Sequence, residues 1–144
     1  MRRLTLLAVP VALLWGALPA AAQPQPPRQP LAPAPTALPA RPDPATLVGT
    51  WKVDLRPTPD APPYFQRFVV HQVHADLRFE GSFYGAPVSE GRINAGWGTL
   101  RIAFVTVDGS GAYHHSAVLQ GARLEGLTNS TGRGFLSYWS AERE

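Results

Sequence analysis

The chain has 144 residues, no cysteine and a formal net charge of +3, with 44% hydrophobic and 16% charged residues. The lack of cysteine excludes a disulfide-stapled mini-protein and a thiolate metal site. Two of the positive charges are Arg2 and Arg3, and no basic run occurs in the rest of the chain, so we expect no nucleic-acid partner.

Residues 1–22 have the pattern of a secretory signal. Arg2 and Arg3 form a positive start, residues 4–18 are an apolar stretch, and residues 20–22 are a small-residue cleavage site. The stretch is about 15 residues long and contains proline, which is too short for a membrane-spanning helix of about 20 residues. We therefore expect an exported bacterial protein, periplasmic or extracellular, with no integral membrane segment after cleavage.

Residues 23–46 are rich in proline. Nine of these 24 residues are proline, and none is glycine or aromatic. Proline holds the backbone extended and the segment has too few apolar side chains for a core, so it predicts a stiff linker. The alternative is a ligand for a proline-recognising domain.

From residue 47 onward, apolar and polar residues alternate with a period of two. In the first such run, Trp51 and Val53 alternate with Lys52 and Asp54. This alternation is typical of strands with one face in a core and the other in water. It predicts eight strands, at residues 47–55, 64–73, 77–84, 88–94, 98–107, 112–119, 123–128 and 133–141.

Short turn sequences separate these strands. Asp108-Gly109-Ser110-Gly111 is the strongest hairpin signal, because Asp and Gly accept the positive φ angles of tight turns. Most connections are of hairpin length, so strands that follow one another should pair antiparallel. We therefore expect residues 47–144 to form an all-β domain, an eight-stranded antiparallel up-and-down barrel, which leaves no open edge.

The domain opens with Gly49-Thr50-Trp51, a G-x-W sequence on the first strand. In this it resembles the calycin group, which includes the lipocalins, the fatty-acid-binding proteins and the avidins. The resemblance implies a barrel whose floor is closed by the first-strand Trp, with an arginine from near the chain end stacked across it, here Arg143 or Arg133. It also implies ligand binding, without indicating a particular ligand.

The sixth predicted strand directs a histidine into the barrel. Its more apolar face carries Tyr113, His115, Ala117 and Leu119. A buried imidazole must be hydrogen-bonded, and two interpretations stay open. His115 contacts the polar end of a ligand, or it is a core histidine bonded to a neighbouring strand, for example to Thr106 or Thr128. On the first interpretation, the predicted ligand-binding residues are Tyr113, His115, Phe79, Phe104 and Trp97.

Other chemistry finds little support in the sequence. His71 and His74 are three residues apart, which on a strand places them on opposite faces, so they predict no zinc site. No serine lies in a G-x-S-x-G sequence, and no carboxylate pair is placed for acid–base work. We expect a protein that is not an enzyme and that needs no cofactor or metal.

The favoured function is therefore binding of a small apolar ligand inside the barrel. The alternative is a protein-binding module, such as an inhibitor of a secreted hydrolase, that uses the loops at one barrel mouth. The volume left inside the barrel separates the two. If the bulky inward side chains fill an eight-stranded barrel, surface binding is favoured. Those side chains are Trp51, Phe68, Phe79, Phe83 and Phe104.

Overall fold

A computed structural model describes residues 40–144 of the chain. The predicted signal (1–22) and most of the predicted linker (23–46) lie outside the described residues. A 3-10 helix at Pro44–Leu47 precedes the first strand. Asp43 caps this helix, because its Oδ1 accepts a hydrogen bond of 2.9 Å from the backbone N–H of Ala45. Regular structure is thus already present inside the last residues of the predicted linker.

Nine strands follow: β1 (Gly49–Asp54), β2 (Phe65–Val73), β3 (Phe79–Phe83), β4 (Ala86–Pro87), β5 (Ser89–Asn94), β6 (Arg101–Asp108), β7 (Gly111–Gln120), β8 (Arg123–Ser130) and β9 (Phe135–Arg143). They form one sheet in the order β4-β3-β2-β1-β9-β8-β7-β6-β5, and their pairings are antiparallel. Because the first strand pairs with the last, the sheet curls into a nearly closed barrel. The prediction of an all-β antiparallel barrel is confirmed.

The predicted number of strands is wrong, since Ala86–Pro87 is a short strand of its own. Tyr84 (φ 54°) and Gly85 (φ 80°) both have positive φ, which is the backbone of a two-residue type I′ hairpin turn. This tight turn allows Ala86 to pair with Phe83. The sequence indicated only a turn here, because nothing in it showed that Tyr84 adopts a left-handed backbone.

The barrel is not sealed between β3 and β5. Here the two sides meet through one bridge between Arg78 and Arg92 and one hydrogen bond of 2.8 Å from the Ile93 N–H to the Leu77 carbonyl. The register of β5 shifts between Ser89 and Arg92, which interrupts regular pairing. We call this line the seam, and the expectation of a barrel without any open edge is corrected by it.

One end of the barrel is closed by Trp51 and Arg143. The indole Nε1 of Trp51 donates a hydrogen bond of 2.9 Å to the carbonyl of Leu47, and the Arg143 guanidinium lies 4.7 Å from the centroid of the indole. Gly49 has φ +133°, and a Cβ there would lie 2.6 Å from Nη1 of Arg143. The G-x-W sequence therefore has a physical basis: the glycine leaves room for the arginine that covers the tryptophan.

The interior of the barrel is packed with aromatic rings. The five bulky residues predicted to point inward, Trp51, Phe68, Phe79, Phe83 and Phe104, are all buried. Phe68 and Phe104 stack with their rings nearly parallel and their centroids 5.1 Å apart. A sixth ring, Trp139 on β9, lies 5.2 Å from Phe83. Gly126 makes room for it, since a Cβ on Gly126 would overlap the indole of Trp139.

Candidate functional site

The end of the barrel opposite Trp51 and Arg143 carries a cluster of aromatic side chains that are exposed or half-buried. Four connections meet there: the loop at 55–64 and the turns at 84–85, 109–110 and 131–134. We call this end the mouth and define it by the side chains of Tyr64, Tyr84, Asp108, Tyr113, Arg133 and Phe135.

Tyr64 and Tyr84 form one side of the mouth. Their rings pack edge to face with centroids 6.1 Å apart, and their hydroxyl groups are hydrogen-bonded to each other. The hydrogen bond with Tyr64 raises the pKa of Tyr84, and the positive charge of Arg133 acts in the opposite direction. Both side chains remain exposed, at 45% and 50% of their surface. The two phenols therefore present a fixed pair of rings to solvent.

Tyr113, Arg133 and Asp108 form the other side. The Tyr113 hydroxyl donates a hydrogen bond of 2.8 Å to Oδ2 of Asp108, and the Arg133 guanidinium lies 5.8 Å from the centroid of the Tyr113 ring. Arg133 also contacts Asp108, at 3.4 Å. Hydrogen bonds from the Ser110 backbone N–H and from Tyr113 hold the pKa of Asp108 below its ordinary value. Asp108 thus contacts the turn at 109–110, the Tyr113 side chain and the Arg133 guanidinium.

Next to this side of the mouth, towards the interior, both ring nitrogens of the buried residue His115 are hydrogen-bonded. Its Nε2 lies 2.9 Å from the Thr106 hydroxyl and its Nδ1 lies 2.8 Å from the Thr128 hydroxyl. Burial, followed by the charge of His114, lowers the pKa of His115 to about 4. The structure therefore matches the interpretation in which Thr106 and Thr128 bind the imidazole, and it leaves neither ring nitrogen free for a ligand.

Four of the five predicted ligand-binding residues lie in one continuous series of rings. From the seam inward, Phe79 lies 5.8 Å from Phe104, Phe104 lies 4.5 Å from His115, and His115 lies 6.5 Å from Tyr113, measured between ring centroids. The first three are buried and Tyr113 reaches the mouth. The series fills the interior and ends at the surface.

Trp97 is the exception, and the expectation that it joins the other four is corrected. It is 78% exposed and lies in the loop between β5 and β6, at the closed end. The side chain of Asn94 accepts a hydrogen bond of 3.0 Å from the Gly96 N–H, which turns the chain. Ala95 and Leu100 are buried instead. The strand β6 begins at Arg101 rather than at the predicted residue 98.

The mouth was not among the predicted sites, although the order of the turns in the sequence contains a signal for it. In a meander, every second connection lies at the same end of the barrel. The predicted turns near residues 56–63, 85–87, 108–111 and 129–132 are alternate connections, and Tyr64, Tyr84, Tyr113 and Arg133 flank them. The order of the connections predicts that these residues lie at one end of the barrel. It does not predict which of them are in contact.

A recess of about 670 Å³ lies at the seam. Its charged side chains pair with one another, His74 with Glu80 at 3.0 Å and Glu90 with Arg92 at 3.1 Å, and Asp76 pairs with Arg78. Because Asp76 and Glu90 each lie beside an arginine and Glu80 is hydrogen-bonded to His74, the carboxylates of the recess already have partners within the chain. The mouth is therefore the better candidate site.

Comparison of the chain with protein families, with curated proteins and with solved structures finds no match. Among residues 40–144, no three His, Asp or Glu side chains are grouped so as to hold a metal ion. The same part of the chain contains no helix that is long and apolar enough to cross a membrane.

Proposed function

We propose that this protein is a non-catalytic binding module that recognises a protein partner through the mouth. The observation that carries the proposal is the aromatic cluster above a filled barrel, in which Tyr64, Tyr84, Phe135 and Arg133 are exposed and Tyr113 is half-buried. Tyr and Arg are among the residue types that contribute most to protein–protein binding, and Tyr buries a large area at a small cost in side-chain entropy.

The mouth is also pre-organised. Tyr64 bonds to Tyr84, Tyr113 bonds to Asp108, and Arg133 contacts Asp108. Side chains that are already held in place lose less conformational entropy when a partner binds. The adjoining loop carries Pro62 and Pro63 directly before Tyr64, which restricts its backbone further.

The charge of the mouth indicates the chemistry of the partner. Asp108 and Arg133 neutralise each other, so the exposed surface is aromatic and carries little net charge. It fits an uncharged, shallow recess on a folded protein. A secreted hydrolase whose cleft receives the mouth loops is the partner class we favour, and the protein then acts as an inhibitor.

A small apolar ligand inside the barrel is the second candidate. The observation in its favour is the indole Nε1 of Trp139, which is buried and has no hydrogen-bond partner within residues 40–144. A ligand atom that accepts a hydrogen bond would satisfy it. Against this candidate, the rings of Phe83, Phe104 and His115 lie within 4.5 to 5.5 Å of one another, so a ligand would have to displace them.

The proposal is tested by photo-crosslinking of the full chain in its source organism. A benzophenone amino acid replaces Tyr113 at the mouth or, as the control, Trp97 at the closed end. We expect one discrete crosslinked protein from position 113 and none from position 97. Adding Arg133→Ala should lower the crosslink yield by at least about ten-fold, since hot-spot residues typically cost 2 kcal/mol or more.

Native mass spectrometry of the same isolated protein distinguishes the two candidates. A mass equal to that of the chain alone, together with the crosslink at the mouth, supports the protein-binding module. A retained small molecule without a mouth crosslink supports the interior ligand instead. Equal crosslinking from positions 113 and 97 would overturn the proposed role of the mouth.

A further inference from the structure

The longest connection within residues 40–144 is the loop at residues 55–64, which joins β1 to β2 at the mouth. It contains four prolines, at positions 57, 59, 62 and 63. Residues 57–60 and 62–64 are exposed, so the loop faces solvent beside the pair formed by Tyr64 and Tyr84. Exposed loop tips are the places where peptidases usually cut folded proteins. This loop, however, has two features that resist cutting.

The first feature is the position of the prolines. Within residues 56–63, the bond between Asp60 and Ala61 is the only peptide bond that has no proline on either side. The bonds that precede the four prolines are tertiary amides, because the proline nitrogen carries no hydrogen, and the ring crowds the side from which the amine leaves. Most endopeptidases therefore do not cut such bonds.

The second feature is a turn that holds the remaining bond. The N–H of Ala61 donates a hydrogen bond of 3.1 Å to the carbonyl of Thr58, which closes a β-turn with Pro59 and Asp60 at its centre. Endopeptidases bind the chain in an extended conformation around the bond that they cut. The turn would therefore have to open before the bond between Asp60 and Ala61 could react.

The base of the loop is closed by one carboxylate. Oδ1 of Asp54 accepts hydrogen bonds from the backbone N–H of Arg56, at 3.0 Å, and from that of Tyr64, at 3.5 Å, while Oδ2 pairs with the Arg56 guanidinium. The N–H of Leu55 donates a further bond of 2.9 Å to the Tyr64 carbonyl. Both ends of the loop are thus held at the end of β1, and a loop held in this way loses little conformational entropy on binding.

We propose that the protein inhibits an endopeptidase, and that the exposed residues of this loop occupy the substrate cleft of that enzyme without being cut. The inference rests on the proposed function, because the loop is one of the four connections at the mouth. Ala61 and Pro62 each precede a proline, which favours an extended backbone, so residues 61–63 are the part that fits along a cleft made for peptides. A segment that stays in such a cleft must resist hydrolysis, and the bonds of this loop do.

A proline-recognising domain is the other class of partner that a loop with four prolines suggests. Such domains bind extended polyproline II segments with the spacing P-x-x-P. Pro59 and Pro62 have this spacing, but the β-turn closed by Ala61 and Thr58 folds the residues between them. The backbone of the loop therefore favours the endopeptidase.

Limited proteolysis of the full chain with subtilisin tests the resistance of the loop. Mass spectrometry maps the cuts, and only those within residues 56–63 are counted. The double variant Pro62→Ala/Pro63→Ala should be cut there at least about ten-fold faster than wild type, because ordinary secondary amides replace the protected bonds. Pro87→Ala on β4 is the matched control, since it removes an exposed proline outside the loop. Equal cutting of wild type and the double variant overturns the inference.

Photo-crosslinking from the tip of the loop identifies the partner. A benzophenone amino acid replaces Thr58 in the full chain in its source organism, and Trp97 is again the control position. We expect position 58 to capture the same protein as position 113, and this protein should be an endopeptidase joined beside its catalytic residues. Prior treatment with an active-site-directed inhibitor of that enzyme should abolish the crosslink from position 58.

The purified enzyme then provides a direct measurement of inhibition. Wild type and Pro87→Ala should both block hydrolysis of a peptide substrate, whereas inhibition by Pro62→Ala/Pro63→Ala should decay as its loop is cut. If this double variant melts early, Pro57→Ala/Pro59→Ala takes its place, since it frees other bonds of the same loop.

The possible outcomes separate this inference from the proposed function. A crosslink from position 113 with none from position 58 overturns the inference and leaves the mouth as a protein-binding surface. A captured protein without peptidase activity, such as a proline-recognising domain, does the same. The absence of any discrete crosslink from position 113 rejects the proposed function itself.

Discussion

Arg143 on the last strand lies with its guanidinium 4.7 Å from the centroid of Trp51 on the first strand. The same guanidinium donates a hydrogen bond of 2.8 Å to the carbonyl of Val48 and another to the carbonyl of Thr46. One side chain therefore joins the C-terminal strand to the segment that enters the barrel. This is a contact across 92 residues of sequence at the place where β1 and β9 close the sheet.

The first prediction concerns Trp51, which is 2% exposed. Trp51→Ala should lower the free energy of unfolding by ~3–5 kcal/mol, because it removes a buried aromatic side chain and leaves a cavity under Arg143. Urea denaturation measures this loss. Trp97→Ala is the matched control: its side chain is exposed, so the change should stay within about 0.5 kcal/mol. Equal free energies of unfolding in the two variants would contradict the assigned role of Trp51.

The second prediction concerns the close approach of Gly126 to Trp139. Gly126→Ala places a methyl group where the indole lies, so we expect a loss of roughly 1–3 kcal/mol from overpacking. Gly109→Ala is the comparison, since a Cβ at Gly109 meets no atom within 4 Å. Thermal unfolding of both variants checks the difference. A Gly126→Ala protein as stable as Gly109→Ala would mean that the indole is placed elsewhere.

The third prediction concerns stability at acidic pH. Burial, with a smaller effect from His114, lowers the pKa of His115 from 6.5 to about 4 in the folded protein. Between these values the unfolded chain binds more protons than the folded one, so the free energy of unfolding should decrease as the pH falls from about 6.5 to about 4. One residue contributes at most ~1.4 kcal/mol per pH unit in this window.

An NMR titration of the His115 ring, together with urea denaturation at several pH values, measures both quantities. His115→Gln removes the titrating group and should flatten the stability profile between pH 6.5 and 4. A His115 resonance that titrates at its ordinary pKa of about 6.5 would show that the ring is in contact with water.

The fourth prediction concerns the threonines that hold the imidazole. Thr128→Val keeps the shape of the side chain but removes the hydroxyl group 2.8 Å from Nδ1 of His115. A buried polar atom without a partner costs ~1–3 kcal/mol, so stability should fall by about that amount. Thr58→Val, in an exposed loop position, is the control and should be close to neutral. Comparable losses in the two variants would argue against the buried network.

Local patterns were sufficient to predict much of the fold. The alternation of Trp51 and Val53 with Lys52 and Asp54 predicted which face of β1 is buried, and Phe104 and His115 likewise lie on the predicted inner faces of β6 and β7. Turn residues predicted the hairpins, because positive φ angles and short connections are properties of a few neighbouring residues. The two threonines that bind His115 were also named in advance, since both flank it on adjacent strands.

The candidate site was predicted less well. His115 stacks on Phe104 and Tyr113 lies beside His115, but the sequence pattern alone did not decide whether a ligand or the two threonines bind the imidazole. Trp97 was expected among the ligand-binding residues inside the barrel and is 78% exposed, because it lies in the loop that follows the turn at Asn94. Ala95 and Leu100 fill the closed end instead. Which residues fill that space depends on side-chain volume, and the alternation of apolar and polar residues does not indicate it.

The sequence by itself determined eight of the nine strands, their inward faces and the hairpin order, because each follows from the chemistry of residues that are close along the chain. Only the tertiary structure decided that the rings fill the interior, that β3 and β5 do not seal, and that Tyr64, Tyr84 and Arg133 meet at one mouth. These features depend on how side chains from distant strands share one volume, and packing of that kind is set by the three-dimensional register of the barrel.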